Sequence, residues 1–182
     1  MIGPILKGKK VILRPIAVKE AADYLRWLKD KNINKFLSTE WKDLNLQKEQ
    51  EYIKKSRKDK NKINWSIYTK DGEHIGSTGL DAIDRYGKKA SWGIFIGEKK
   101  YWGQGIATEA LKNILKFCFE SLKLNRVELW VVTENKGGVK CYRRCGFKKE
   151  GIRRQAGYRY GRFWDLMVMG ILKNEYQKKY KK

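Results

Sequence analysis

The chain has 182 residues, the length of one domain with a sizeable core. Apolar residues make up 41% and charged ones 34%, with no apolar run near the ~20 residues of a spanning helix, which excludes a disordered polymer and a helical membrane protein. Forty-two Lys and Arg against twenty Asp and Glu give +22, and one histidine, His74, excludes multi-histidine metal sites and conventional Ser-His-Asp or Cys-His catalysis.

In chain order, residues 9–16 read as a strand, with Val11 and Leu13 apolar and Pro15 ending it at an edge or turn. Residues 18–30 predict a helix with Ala21, Tyr24, Leu25 and Leu28 on one face. A second helix is expected over 45–58, its far half a solvated basic face. Residues 63–69, 75–81 and 90–96 read as strands joined by turns at 70–73 and 85–88, an antiparallel meander. A long helix follows over 105–121, with Leu111, Ile114, Leu115, Cys118 and Phe119 as its buried stripe. Then come a strand at 126–132, a short helix at 136–145 and a hairpin of 147–152 and 163–169 with a loop through 158–161. Residues 170–182 read as a basic helical tail. A meander feeding β-α-β-α-β predicts an α/β fold with a mixed sheet.

Between a strand and a helix lies Trp102-Gly103-Gln104-Gly105-Ile106-Ala107-Thr108. A loop entering a helix presents unpaired N–H groups and the positive end of the macrodipole. Glycines let an anion approach the backbone, so the expected ligand is a phosphate or pyrophosphate. The loop lacks the Gly-Lys-Ser/Thr of a P-loop, and Lys123 stands where a dinucleotide-binding carboxylate would be expected. The alternative is that the glycines serve only to turn the chain.

Residues 96–110, Ile-Gly-Glu-Lys-Lys-Tyr-Trp-Gly-Gln-Gly-Ile-Ala-Thr-Glu-Ala, resemble the acetyl-CoA loop of the GNAT N-acetyltransferase superfamily, in its RimJ/RimL-type branch. Trp102 stands where the superfamily pattern has Arg or Gln, while Gly105 and Ala107 fit it. The resemblance extends to Leu13-Arg14-Pro15, to Asn135 through Tyr142 and Gly146-Phe147, and to the stretch from Gly157-Tyr158 to Asp165. It implies one GNAT domain over residues 1–182, with a basic tail from about 172 and a mostly antiparallel sheet that splays open. It also implies acetyl-CoA as co-substrate and no metal. Pantetheine would pair with the backbone of Ile94, Phe95 and Ile96, whose side chains read equally well as core. Trp102, Gly103, Gln104, Gly105, Ile106, Ala107 and Thr108 would hold the pyrophosphate. Asn135 would bind the pantetheine arm, besides reading as a helix N-cap. Tyr142 would protonate the departing thiolate: a phenol of pKa ~10 can serve a thiol of pKa ~8.5. Its alternative role is a core tyrosine.

No general base is identified. Ser91 and Trp92 occupy the position where relatives often carry a carboxylate, and Glu40, Asp81 and Asp84 are candidates by neighbourhood only. Freeing the lone pair of an α-amine at pH 7 costs about 1.4 kcal/mol, against about 4.6 kcal/mol for a lysine-like amine. A site without a strong base therefore suits a protein or peptide N-terminus, of the ribosomal-protein type. The +22 charge disfavours polyamines and aminoglycosides, although small amines, including amino acids, stay as alternatives. A basic RNA- or ribosome-binding module on a degenerate scaffold is the rival from another class. The charge fits it, as it fits a merely lysine-rich composition. The aromatic stretch from Tyr158 to Trp164 is expected to wall the acceptor cleft or to pair across the hairpin. Cys141 and Cys145 read as buried structural thiols, and His74 as a turn or strand-edge residue. Three cysteines cannot all pair and the N-terminus has no apolar signal core, so a cytoplasmic location is expected, with oligomerisation left open.

Overall fold

The computed structural model describes residues 1–37 and 43–181. Eight strands form one sheet in the order β1-β2-β3-β4-β5-β6-β8-β7. Strands β1 (Leu6–Lys7) and β2 (Val11–Pro15) open the chain. Helices α1 (Ala21–Lys29), α2 (Lys31–Asn34) and α3 (Leu46–Lys58) follow. The meander comprises β3 (Ile63–Thr69), β4 (His74–Asp84) and β5 (Lys89–Ile96). Helix α4 (Ile106–Lys116), strand β6 (Arg126–Val132) and helix α5 (Lys136–Arg144) come next. The hairpin β7 (Lys148–Arg159) and β8 (Arg162–Leu172) leads into α6 (Lys173–Tyr180). Among the described strands every pairing is antiparallel except β5 with β6, which makes the mixed, mostly antiparallel sheet that the resemblance implies.

Two cores flank the sheet. On one face Ala110, Leu111, Ile114 and Leu115 of α4, all fully buried, pack against Trp65, Ile67, Val127 and Met169. On the other, Tyr24 and Trp27 of α1 and Ile53 of α3 close over Ile16 and Phe95. The alternation of strand side chains divides each strand between these two faces.

Several boundaries differ from the expected ones for local reasons. The segment 18–30 divides into a 3-10 turn at Val18–Glu20 and α1, because the Glu20 carboxylate folds back to accept from the Ala17 N–H at 2.9 Å. The long helix ends at Lys116 and loosens into a π-helical turn over Phe117–Ser121. The hairpin is longer than expected, and its connection shrinks to Tyr160 and Gly161, both at positive φ (+52° and +77°). That two-residue geometry matches the twist of the paired strands. The basic tail is anchored: Tyr176 is buried, and the Tyr180 hydroxyl donates to the Cys145 carbonyl at 3.1 Å. No helix among the described residues is long and apolar enough to cross a membrane.

Candidate active site

Strand β5 defines the site by how it leaves its neighbour. It pairs with β6 only at Lys89↔Arg126, Ala90↔Val127 and Ser91↔Glu128. From there Trp92 to Ile96 stay paired to β4 on one side, while β6 turns its remaining residues, Leu129 to Val132, to β8. At ~3.3 Å per residue, about 15 Å of β5 edge is free of β6. Ile94 and Ile96 pack toward the α4 core and Phe95 toward α1, so their side chains are structural. Only their backbone can serve a ligand. The Ile96 carbonyl already accepts from the Trp102 indole N–H at 2.9 Å, which ties the loop after β5 to the strand end.

That loop runs into α4. Gly103 (φ +77°) and Gly105 (φ +80°) are left-handed, a conformation glycine enters without steric cost. Gly105 caps α4 with no side-chain hydrogen bond. The first turn closes when Glu109 N–H donates to the Gly105 carbonyl at 3.0 Å. The N–H groups of Ile106, Ala107 and Thr108 precede that first bond and have no helical acceptor. Ile106 is buried, so it can contribute its N–H alone. The Gln104 side chain donates to the Lys100 carbonyl at 2.7 Å, and the Gln104 carbonyl accepts from Lys10 Nζ at 2.9 Å. Lys10 thus holds a cation against the loop. Nothing in the sequence points to it, because it arrives from the start of β2.

Helix α5 supplies the other wall. Asn135 is its N-cap, its Oδ1 accepting from Gly138 N–H at 2.9 Å, so its amide nitrogen stays available as a donor. Tyr142 lies two turns on. Its ring meets Trp92 edge-to-face at 5.5 Å, at the point where β5 parts from β6. The Tyr142 hydroxyl has no hydrogen-bond partner among the described residues, and burial pushes its ionisation above the usual phenol range. It stays a neutral proton donor at physiological pH. Trp92 is held in turn: its indole donates to Thr78 Oγ1 at 2.8 Å, and that hydroxyl donates to the Gly93 carbonyl at 3.0 Å. Sequence reasoning discounts Trp92 as a base and so misses its part in holding Tyr142.

The first turn of α4 meets the second half of α5 through Thr108 Oγ1 and Cys141 Sγ, 3.3 Å apart. Cys118 and Cys145 are buried; burial was expected of Cys141 too, which is instead half-buried. Its contacts with Cys145 and Thr108 hold its thiol pKa below the usual value.

The acids named from sequence do not gather here. Asp81 pairs with Lys62 at 2.7 Å, and Asp84 accepts from Gly87 N–H at 2.7 Å at the far turn of β5. Glu40 lies outside the described residues. Of the two readings of His74, turn or strand edge, the structure shows the second. His74 opens β4 with its ring stacked on Tyr68 at 5.0 Å and its Nδ1 2.9 Å from Asp23. The aromatic hairpin splits between both expected roles. Tyr158 and Phe163 are exposed and pack on each other across the strands. Tyr160 instead donates to Asn34 Oδ1, and buried Trp164 meets Phe36 at 5.9 Å, fastening the hairpin tip to the α2 region.

Comparison with known proteins adds the following. The sequence model of the acetyltransferase (GNAT) domain matches residues 10–148. "Probable N-acetyltransferase YjcK" of Bacillus subtilis (strain 168) is 30% identical over 177 residues, covering 92% of this chain and 97% of that protein. "Putative ribosomal N-acetyltransferase YdaF" of the same organism is 34% identical over 107 residues, covering 59% of this chain and 58% of that one. Among solved structures, a spermidine N-acetyltransferase from Vibrio cholerae in complex with CoA and spermine superposes with a TM-score of 0.85. It is 24% identical, covering 91% of this chain and 97% of that one.

Proposed function

This chain belongs to the acetyltransferase (GNAT) domain family and is an N-acetyltransferase, and on that premise we propose that it moves the acetyl group of acetyl-CoA to a primary amine, foremost a protein or peptide N-terminal α-amine. The observation that carries the reading is the conjunction at β5: an unpaired strand edge, a left-handed glycine loop and an unpartnered tyrosine at one opening. All of residues 1–182 act as one catalytic domain in this reading.

Acetyl-CoA supplies the activated acyl group. The free N–H groups of Ile106, Ala107 and Thr108, with Gly103 and Gly105 beneath them, suit its pyrophosphate. Trp102 and Gln104 fix the loop, and Lys10 adds positive charge beside it. The open backbone of Ile94, Phe95 and Ile96 and the Asn135 amide suit the amide-rich pantetheine arm. The amine attacks the thioester directly. The carbonyl oxygen gains charge and draws on backbone N–H groups of the open strand. As the carbon–sulfur bond breaks, Tyr142 gives its proton to the sulfur. The attacking amine loses its own proton, which the phenolate or ordered water can take.

The acceptor is argued from charge and from relatives. The partial similarity to a protein named for ribosomal N-acetylation supports the RimJ/RimL-type branch and an acceptor on a protein N-terminus. The structural neighbour bound to spermine supports the rival, a small polyamine. The +22 charge repels a polycation and favours the first. The same charge suits work near RNA or the ribosome, and a cytoplasmic location belongs to this proposal.

The test is acetyl-CoA-dependent turnover on free-N-terminus peptides, spermidine, an aminoglycoside and amino acids, read as CoA release with mass detection of the product. Acetylation of peptides over spermidine is expected. Preference for spermidine would move the acceptor to the small-amine class. RNA binding without acetyl-CoA binding would overturn the enzyme reading.

A further inference from the structure

Two acids are buried among the described residues, and they differ sharply. Glu20 is fully engaged by the Ser66 hydroxyl, the Tyr68 hydroxyl at 2.5 Å and the Ala17 N–H at 2.9 Å. Glu49, in the first turn of α3, is 4% exposed and has neither a hydrogen-bond donor nor a cation beside it among the described residues. A carboxyl buried without partners is costly, more so in a chain with 42 cations to spare.

Its surroundings point to a ligand. Glu49, Tyr52 and Ser56 fall at i, i+3 and i+7, on one stripe of α3. From that stripe Ser56 and Tyr52 reach Asn64 of β3, at 2.7 Å and 3.4 Å. The Asn64 side chain lies over Gly79 of β4, and Gly79 pairs with Gly93 of β5. Over Gly93, where a side chain would stand, there is open space. Gly93 shares a strand face with Phe95, which packs toward α1. On the α3 side of the sheet, Gly93 therefore leaves open space on the same strand whose edge parts from β6.

We infer that Glu49 is the carboxylate that receives the ammonium of the acceptor amine, entering over Gly93 from the α3 face. The inference rests on the acetyltransferase reading above and narrows its substrate class. One unpartnered acid matches one positive charge: an N-terminal α-amine on a neutral flank rather than a polyamine. Burial alone raises the Glu49 pKa to about 7, so an arriving ammonium restores a charge that burial disfavours.

The experiment compares wild type, Glu49→Gln and Glu51→Gln, the last removing the same charge from an exposed position on the same helix. Acceptor KM and acetyl-CoA KM are measured with a free-α-amine peptide. Calorimetry with the same peptide is run on the CoA-bound protein. In Glu49→Gln the acceptor KM is expected to rise about tenfold or more, the loss of a charged hydrogen bond. The acetyl-CoA KM and the melting temperature should hold, and Glu51→Gln should match wild type. An unchanged acceptor KM in Glu49→Gln, with wild-type turnover intact, overturns the inference and leaves the reaction standing. If no turnover is seen, the reaction fails separately: peptide binding abolished by Glu49→Gln still supports the inference, and no binding to the wild type overturns it.

Discussion

Strand β5 has two halves that obey different rules. Lys89 and Ser91 are paired on both sides, and Ala90 between them is fully packed and pairs with Val127. From Trp92 to Ile96 it is paired on one side only, with Gly93 exposed and the Ile96 carbonyl borrowed by Trp102. A strand edge left unpaired inside a sheet forgoes hydrogen bonds worth ~0.5–1.5 kcal/mol each. A fold keeps such an opening where another molecule restores the bonds. The paired half should therefore govern stability and the open half activity, and substitutions at four positions test that division.

The largest effect is expected at Gly105. Its φ of +80° places any β-branched residue in a strained conformation, and it holds the α4 N–H groups at the loop's outlet. Gly105→Val should lower kcat/KM for acetyl-CoA by about 100-fold, while Gly105→Asn, which tolerates left-handed backbone, loses far less. Steady-state kinetics with varied acetyl-CoA checks this; equal losses in both variants would detach the backbone conformation from cofactor binding.

Tyr142→Phe comes next. General-acid groups contribute ~10²–10⁴-fold, so kcat should fall by about 100-fold with acetyl-CoA KM nearly unchanged. The Tyr142 hydroxyl has no partner among the described residues, so removing it should leave the melting temperature where it was. A fall in melting temperature with kcat intact would make Tyr142 a core residue.

At Asn135 the two roles separate by atom. Asn135→Ala loses the cap to Gly138 and about 1 kcal/mol of stability, together with the amide donor. Asn135→Asp keeps an oxygen cap but loses the donor, so its melting temperature should hold while acetyl-CoA KM rises about fivefold, the scale of one neutral hydrogen bond. Parallel changes in both variants would reduce Asn135 to a cap.

Much of this division is legible in the residues themselves. The glycines at 103 and 105 and the alternation in 90–96 predict a strand, a turn and a helix start, because each depends on local backbone preference. The Asn135–Tyr142 spacing puts both residues near one helix face for the same reason. What stays hidden depends on tertiary contact. Lys10 reaches the Gln104 carbonyl from 94 positions away, and Trp92 matters through Thr78 and Tyr142. His74 reads as a turn or strand-edge residue because Asp71 and Gly72 precede it; it does open β4, but that three aromatic rings enclose it is visible only in the fold. Glu49 stands in a run of charges, and only burial sets it apart from Glu51.

The smallest effect on activity is expected at Val127, and it is the sharpest test of the division. Val127 is fully buried on β6 opposite Ala90, in the last stretch where β5 and β6 still pair. Val127→Ala removes two methyl groups from the α4-side core, at ~0.8 kcal/mol per buried carbon plus a cavity contribution, about 2 kcal/mol in all. For a domain of this size the melting temperature should fall by about 4–8 °C. Below that temperature the open half keeps its own supports: Trp102 on Ile96, Thr78 on Gly93 and the Asn135 cap, none of which includes Val127. Acetyl-CoA KM and kcat should therefore stay within about twofold of wild type, as for distant, independent sites. If KM rises along with the loss of stability, the paired half sets the width of the opening, and the two halves of β5 act as one lever rather than two independent parts.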